Sequence, residues 1–238
     1  MFHPKGPTFF ELVKAACSSV EKGYDLIASK FDYTPFRTPD FILSAIAPHI
    51  GKPDSIGAAL DICCGTGAGM QMLRPLCRER VVGIDISEGL LDIARQSAAE
   101  TNGKASFEFV HGNALDMPFD SEFDVAVCFG ALSHIPKIEQ SKFLDQVAYA
   151  LKPGGRFVFA SYYMPSIWSG RYWFYRGLNT VMSLRNLLIR QSFPVNKLTF
   201  LLPEVKTLLK SHGFEVTVRE VFDGKLAFLK LVIATKVV

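Results

Sequence analysis

The stretch that decides the fold is "LDICCGTGAGM", Leu60 to Met70, in which a short apolar run ends in two cysteines and a glycine-rich turn. Gly65 and Gly67 allow the backbone to turn sharply and to approach a ligand closely, where a Cβ would obstruct it. A strand that runs into such a turn is typical of an open α/β sheet, whose ligand lies beyond the carboxyl ends of the strands. The adjacent cysteines leave an alternative open: a thiol site for redox chemistry or for a metal.

The cysteines as a set argue against that alternative. The chain has five of them, with no CxxC pair and no cluster of Cys and His at the spacing of a zinc site. In a reducing compartment such cysteines are small buried hydrophobic side chains. We therefore predict no metal site, and we interpret Cys63 and Cys64 as packing residues beside a ligand-binding turn.

The composition is that of a globular protein. The 238 residues are 49% hydrophobic with a net charge of +3, which is ample for a packed core and too small a charge to indicate nucleic acid as a partner. The mean hydropathy of +0.20 is high, but no apolar run reaches the ~20 residues that span a bilayer. The first residues lack the basic start and apolar run of a signal peptide. The expected location is the cytoplasm.

From about residue 56 short apolar runs alternate with amphipathic segments. This alternation predicts a mostly parallel sheet with helices on both faces. The predicted strands are 57–63, 80–86, 106–110, 123–129, 156–162, 214–221 and 225–235, and the predicted helices are 68–77, 88–100, 138–150 and 203–212. Only Phe222, Asp223 and Gly224 separate the last two strands, too few residues for a helical crossover, so these strands are expected to form an antiparallel hairpin. The predicted fold class is α/β: a Rossmann-like, seven-stranded, mostly parallel sheet with a C-terminal antiparallel β-hairpin.

We predict a single domain over 1–238 that has four parts. These are an N-terminal helical cap at 1–50, a ligand-binding core at 51–162, an aromatic and basic insertion or lid at 163–202, and a C-terminal helix with the β-hairpin at 203–238.

The second predicted strand supports an adenosine-type ligand. It ends with Asp85, and a carboxylate at that position can accept hydrogen bonds from both hydroxyls of a ribose. The glycine pattern does not decide which ligand, because Met70 stands where a GxGxxG motif has its third glycine. Asp61, inside the first strand, suits a ligand with a free amino-acid end, whereas a dinucleotide places its pyrophosphate at the helix N-terminus. Both ligand classes remain open on these residues alone.

Five segments of the chain resemble, in order and in spacing, the class I S-adenosylmethionine (SAM)-dependent methyltransferases. They are "LDICCGTG" (60–67), "VVGIDIS" (81–87), "HGNALDMPF" (111–119), "FDVAVCFGALSHIP" (123–136) and "LKPGGRFVFASY" (151–162). The subfamily that the chain resembles is that of the ubiquinone/menaquinone C-methyltransferases, which show a similar CCGTG turn, a GNA and an FG after the fourth strand. That group has GLRN where this chain reads "GALSHI" (130–135), so the resemblance does not carry quinone methylation over intact.

The resemblance implies SAM as the cofactor and a role for each matching residue. The implied cofactor-binding residues are Asp61, Gly65, Thr66 and Gly67 around the methionine part, Asp85 at the ribose, Ile86, Asn113 and Ala114 at the adenine, Cys128 and Phe129 beneath the sulfonium, and Tyr24 and Arg37 from the N-terminal helices. Arg37 is expected to pair with the SAM carboxylate.

The candidate catalytic residue is His134, just beyond the fourth strand. Methyl transfer is an in-line displacement that depends largely on positioning, and a base is needed only if the acceptor must lose a proton. For a hydroquinone, deprotonation of a ring hydroxyl would raise the electron density at the attacked carbon. The predicted function is methyl transfer to a small, apolar or aromatic acceptor, quinone-like or lipidic. The alternatives are a non-catalytic SAM-binding protein and a nucleotide-dependent oxidoreductase.

The insertion at 163–202 is aromatic and basic. No acidic residue lies between Asp145 and Glu204, whereas that interval holds Lys152, Arg156, Arg171, Arg176, Arg185, Arg190 and Lys197. A continuous helix over 171–190 would place its arginines on about half of the circumference and its apolar residues largely opposite, although Gly177 argues against an uninterrupted helix. Two interpretations stay open: a lid over the substrate pocket, and contact with an anionic bilayer or a lipidic substrate.

Overall fold

The computed structural model describes residues 3–99, 103–189 and 195–237. The strands are β1 (Ile56–Ile62), β2 (Cys77–Asp85), β3 (Ser106–His111), β4 (Phe123–Cys128), β5 (Leu151–Tyr162), β6 (Phe214–Arg219) and β7 (Leu229–Lys236). The α-helices are α1 (Phe9–Ala16), α2 (Val20–Ile27), α3 (Asp40–Ile50), α4 (Ala68–Leu73), α5 (Glu88–Ala99), α6 (Gln140–Ala150), α7 (Gly170–Leu188) and α8 (Glu204–Ser211). A 3₁₀ segment, Ala28–Tyr33, follows α2 directly.

Within the described residues the strands form one seven-stranded sheet in the order β3-β2-β1-β4-β5-β7-β6. Strands β1 to β5 pair parallel, and β7 pairs antiparallel with both β5 and β6. The predicted fold class is therefore confirmed. The strand order reverses between β1 and β4, so the carboxyl end of β1 lies at the point where open α/β sheets bind their ligands.

Helices and aromatic side chains cover both faces of this sheet. On one face Phe123, Phe157 and Phe159 pack with residues of α6 and α8, and on the other face Val125 and Val158 pack with residues of α3, α4 and α5. These strands are buried on both sides, as the near-continuous apolar runs of a parallel sheet predict. None of the described helices is long and apolar enough to cross a membrane.

Several predicted boundaries were wrong for identifiable reasons. The first strand ends at Ile62 because Cys63 turns into the left-handed region at φ 57°. The helix predicted over 68–77 ends at Leu73, since Pro75 lacks the N–H that would continue it. The predicted strand 225–235 begins at Leu229, after a 3₁₀ turn that lengthens the hairpin connection.

The insertion contains a continuous helix, contrary to the expectation that Gly177 would interrupt it. Helix α7 runs unbroken from Gly170 to Leu188. A glycine in a helix costs about 1 kcal/mol relative to alanine, and this cost is not enough to break a helix of that length. Arg190, which was counted among the predicted arginines, lies outside the described residues.

Candidate functional site

The glycine turn after β1 is held by Asp85, the last residue of β2. The Gly65 N–H donates to Asp85 Oδ2 at 2.8 Å, and the Ser87 N–H donates to Asp85 Oδ1 at 2.9 Å. Burial raises the pKa of the Asp85 carboxyl, while these amide hydrogen bonds act in the opposite direction. Each carboxylate oxygen can accept a second hydrogen bond. Asp85 can therefore accept from a ligand and hold the turn at the same time.

Helix α5 begins at Glu88, as predicted, and Ser87 precedes it as the capping residue. The Ser87 Oγ accepts from the Leu90 N–H at 3.2 Å and caps α5. The turn and the capped end of α5 thus lie on either side of Asp85.

The Asp61 carboxyl has a hydrogen-bond acceptor that none of the described residues uses. The side chain is buried in β1, and its Oδ2 atom has no hydrogen-bond partner among those residues. Burial, reinforced by the nearby Asp85, raises the pKa of Asp61 to about 8, while a hydrogen bond from the Met70 backbone acts in the opposite direction. A Cβ on Gly69 would lie only 2.4 Å from Oδ2, so the glycine leaves room for this carboxyl. A buried carboxyl with a free oxygen suits a cationic or hydrogen-bond-donating ligand group.

The cysteines of the turn have the properties of packing residues. A hydrogen bond with the Cys128 thiol, together with burial, raises the pKa of Cys63, and burial raises the pKa of Cys64. Because the thiolate is the form that attacks and that binds metals, these thiols are poorly suited to either task. The described residues contain no group of three or more metal-ligating side chains.

The N-terminal cap contacts the turn through a carboxylate that the sequence did not single out. Thr66 Oγ1 donates to Asp32 Oδ1 at 2.6 Å. The same oxygen is paired with Arg37 Nε at 3.2 Å, and Arg37 Nη2 also binds Asp40 at 2.7 Å. The Phe31 ring lies over Gly65, 3.6 Å from where a Cβ would stand. Arg37, predicted to pair with a ligand carboxylate, is here paired with carboxylates of the cap.

A second cap carboxylate binds the start of α5. Asp25 Oδ1 accepts from Ser87 Oγ at 2.5 Å and from the Gly89 N–H at 3.0 Å. A carboxylate at a helix N-terminus is favoured by the helix dipole. The sequence carries only a weak signal for these contacts. Asp25 and Asp32 are two acidic residues in a segment that is expected to cover the ligand, and no recognisable motif surrounds them.

Tyr24 and His134 form a hydrogen-bonded pair that joins the cap to the loop after β4. Tyr24 Oη lies 2.8 Å from His134 Nε2, and the Tyr24 ring makes edge contacts with both His134 and Phe31. Burial raises the pKa of the Tyr24 hydroxyl, so the phenol is neutral and can donate to an unprotonated imidazole nitrogen. The structure thus brings two predicted site residues from distant parts of the chain into contact.

Three neighbouring cavities meet at Phe129. A cavity of about 90 Å³ is bounded by Gly65, Asp85, Ile86 and the Tyr24–His134 pair. A second, of about 50 Å³, lies at Asp61 and Thr66. Phe129 lines both of these and also a third cavity of about 280 Å³, which shares Tyr24 and His134 with the first.

Apolar residues make up more than half of the lining of the third cavity. Its walls include Phe36, Pro39, Ile42, Ala160 and Leu229. Lys197 also lines it, and burial lowers the pKa of that ammonium. A larger cavity of about 510 Å³ lies between α6 and α8, and none of the predicted site residues lines it.

Four predicted site residues do not line these cavities: Gly67, Asn113, Ala114 and Cys128. Asn113 Oδ1 accepts from the Leu115 N–H at 2.9 Å, within its own turn, and Ala114 is buried in the core. The turn is nevertheless tied to the site, because the Gly112 N–H donates to the Asp85 carbonyl at 2.9 Å. Cys128 is buried behind Cys63. Their roles toward a ligand stay predictions.

Comparison with known proteins agrees with this arrangement. A family model described as a methyltransferase domain matches residues 59–155. The demethylmenaquinone methyltransferase of Oceanobacillus iheyensis is 32% identical over 190 residues, which cover 73% of this chain and 76% of that protein. The demethylmenaquinone methyltransferase of Clavibacter sepedonicus is 38% identical over 125 residues, which cover 52% of this chain and 46% of that protein. The chain thus spans about half the length of that second relative.

Among solved structures, the complex of DhpI with S-adenosylhomocysteine (SAH) superimposes with a TM-score of 0.66. It is 20% identical, and the match covers 97% of this chain and 99% of that one. The shared fold, the glycine turn backed by Asp85 and the relative matched over three quarters of its length agree on one assignment. The chain belongs to the SAM-dependent methyltransferase family.

Proposed function

We propose that this chain transfers the methyl group of SAM to a small aromatic or apolar acceptor held in the cavity beside Phe129. The observation that carries the proposal is the position of the Tyr24–His134 pair, which lines both the cavity at Asp85 and the apolar cavity of about 280 Å³. A donor bound at the glycine turn and an acceptor bound in the apolar cavity would meet at this pair and at Phe129.

The described residues fit SAM at the turn. The free oxygen of Asp61 suits the ammonium of the methionine part, and Asp85 retains acceptor capacity for the ribose hydroxyls. The cavities of about 90 and 50 Å³ are below the ~300 Å³ at which small-molecule sites begin; Phe31 lines both of them, and Asp32 is hydrogen-bonded to Thr66. We therefore expect the 3₁₀ segment of the cap to move away from Gly65 and Thr66 when SAM binds at this turn.

SAM, when bound, supplies an electrophilic methyl group on a sulfonium. The protein's own contribution is to orient the acceptor and to handle its proton. His134 Nε2 accepts a hydrogen bond from the Tyr24 hydroxyl, so Tyr24 would pass its proton to Nε2 as it takes up the proton of an acceptor hydroxyl, and the phenol would stay neutral. Deprotonation raises the electron density of an aromatic acceptor as the methyl group is transferred.

The lining of the apolar cavity supports an aromatic acceptor. Its walls are mainly aromatic and aliphatic, with polar groups confined to the Tyr24–His134 pair, Arg37, Thr38, Tyr162 and Lys197. Relatives named demethylmenaquinone methyltransferase point to the same chemical class. The "GALSHI" segment places His134 where the quinone methyltransferases have a different pattern, so the acceptor proposed here is a hydroquinone-like ring rather than menaquinol itself.

Transfer of radiolabel from methyl-tritiated SAM to 1,4-naphthohydroquinone under anaerobic conditions tests the proposal. We expect an organic-extractable product, formed at least a hundredfold more slowly by His134→Ala, which should still bind SAH. Ser133→Ala, in the same loop, is the matched control. SAH binding without transfer to hydroquinones or phenols would favour the non-catalytic alternative. A chain stabilised by NAD and not by SAH would favour the oxidoreductase.

A further inference from the structure

The side of α7 that faces the protein is held by polar and aromatic contacts. Asn179 Nδ2 donates to Asn196 Oδ1 at 2.6 Å, and Arg185 Nη2 donates to the Ser18 carbonyl at 2.6 Å. At the start of the helix the Arg171 guanidinium lies 3.6 Å from the centre of the Phe228 ring. The helix is therefore fixed in its rotation, with its more polar side turned inward.

The opposite side of α7 is apolar and exposed. We define the α7 apolar face as the set of residues Trp173, Phe174, Val181, Leu184, Leu187 and Leu188. Each of them is more than half exposed, and Leu187 and Leu188 reach 82% and 83%. At 100° per residue they fall within an arc of about 140° that contains no charged residue. Just before the helix, Trp168 is 90% exposed. Soluble proteins rarely expose so large an apolar surface without using it.

The charges beside this face indicate what covers it. Arg176 lies exposed at one edge of the apolar arc, whereas Arg185 at the other edge turns inward to Ser18, and the sequence has no acidic residue between Asp145 and Glu204. Two copies packed through this face would bring their Arg176 side chains together with no carboxylate of α7 to neutralise them. An anionic lipid bilayer provides both apolar depth and compensating charge, as for other basic amphipathic helices. Both tryptophans of the chain lie here, and their amphipathic rings favour the membrane–water interface.

From these observations we infer that the α7 apolar face docks the protein on the surface of an anionic lipid bilayer, with α7 lying in the plane of the interface. The inference is independent of the proposed methyl transfer, because no residue of this face lines the cavities at the glycine turn. It also separates the two interpretations of the insertion, since in this structure the apolar side of α7 faces outward.

Tryptophan fluorescence and vesicle sedimentation test this inference directly. The chain has two tryptophans, both in this region, so their emission reports on the proposed contact. With vesicles of phosphatidylcholine and phosphatidylglycerol we expect pelleting and a blue-shifted emission, both weakened by salt. Vesicles of phosphatidylcholine alone should bind more weakly. Arg176→Glu should weaken binding at least fivefold, since each basic residue near an anionic surface contributes about 1 kcal/mol.

Paired variants distinguish vesicle binding through the α7 apolar face from non-specific adsorption to lipid. The double variant Leu187→Glu, Leu188→Glu should abolish pelleting, whereas Ile138→Glu, at an apolar residue that is 91% exposed on another element, should not. All variants should retain the increase in melting temperature caused by SAH, which reports on the cofactor site separately. The inference is overturned if neither vesicle type binds, if the two types bind equally, or if the face buries itself in a dimer that does not bind vesicles.

Discussion

The described residues of the N-terminal cap (3–50) and of the insertion (163–189 and 195–202) lie outside the sheet, and the two regions contact the rest of the protein through different groups. The cap presents carboxylates inward: Asp32 binds Thr66 at the glycine turn and Asp25 binds the start of α5. Helix α7 of the insertion turns Asn179 and Arg185 inward and leaves the α7 apolar face exposed. The cap should therefore influence cofactor binding, whereas the insertion should not.

The difference shows that amphipathic periodicity identifies two faces of a helix but not which face packs inward. That choice depends on the groups that the rest of the chain offers. The carboxyl edge of the sheet offers donors, the Thr66 hydroxyl and the Gly89 N–H, which favour carboxylates. Beneath α7 lie Asn196 and the Phe228 ring, which favour an amide and a guanidinium.

The largest effect that separates the two regions is expected at Asp85, beneath the cap. Asp85→Ala removes the acceptor of two amide hydrogen bonds and the proposed acceptor of the ribose hydroxyls. Hydrogen bonds to a charged group contribute about 1.5–3 kcal/mol each, so we expect SAH affinity to fall by roughly a hundredfold or more. Isothermal titration calorimetry measures this change, with circular dichroism to confirm the fold.

Arg171→Ala is the matched control, because it removes a contact beneath the insertion instead. We expect its SAH affinity to equal that of the unmodified protein. A comparable loss of affinity in both variants would contradict the proposed separation of the two regions.

The second prediction concerns pH and Asp61. Its pKa of about 8 in the folded protein lies above its ordinary value of 3.8, so between about pH 4 and 8 the folded state holds a proton that the unfolded state releases. Stability from this group is therefore greatest at low pH and declines as pH rises through that window. Asp61→Asn should flatten the decline in melting temperature.

The same carboxyl should make SAH binding pH-dependent. An ammonium on the ligand favours ionised Asp61, so binding releases a proton and affinity should rise as pH approaches 8. Asp61→Asn should lower the affinity and remove this slope. An unchanged slope in the variant would assign the titration to another group.

Much of the site could be predicted because local pattern and sheet geometry place it. Parallel strands end at one edge, so Asp61 in β1 and Asp85 at the end of β2 had to lie near the glycine turn between them. The contacts of the cap could not be predicted, since Thr66 and Asp32 are 34 residues apart and their meeting depends on how the cap packs. The strand ends were displaced by features without a periodic signal, such as the left-handed Cys63.

A third and smaller effect is expected at Asp32, whose carboxylate lies between Thr66 and Arg37 where a ligand carboxylate was expected. Asp32→Asn removes the negative charge that competes for these groups. We expect SAH to bind several-fold more tightly, because the cap no longer has to give up an ion pair before the ligand binds. Asp40→Asn, which removes the exposed partner of Arg37 without touching Thr66, is the control in the same calorimetric titration. Weaker binding by Asp32→Asn would show that Asp32 supports the cofactor site rather than competing for it.

The smallest effect is expected where the two regions touch. Arg185 of α7 donates to the Ser18 carbonyl in the loop between α1 and α2, so Arg185→Ala removes a hydrogen bond that ties the insertion to the cap. A contact of this kind contributes about 1–2 kcal/mol, which in a protein of this size corresponds to a decrease of roughly 2–8 °C in melting temperature. SAH affinity should not change, because neither Ser18 nor Arg185 lines the cavities at the turn. If SAH affinity fell as well, the contact between the insertion and the cap would have to influence the hydrogen bond between Asp32 and Thr66. The two regions would then be energetically coupled.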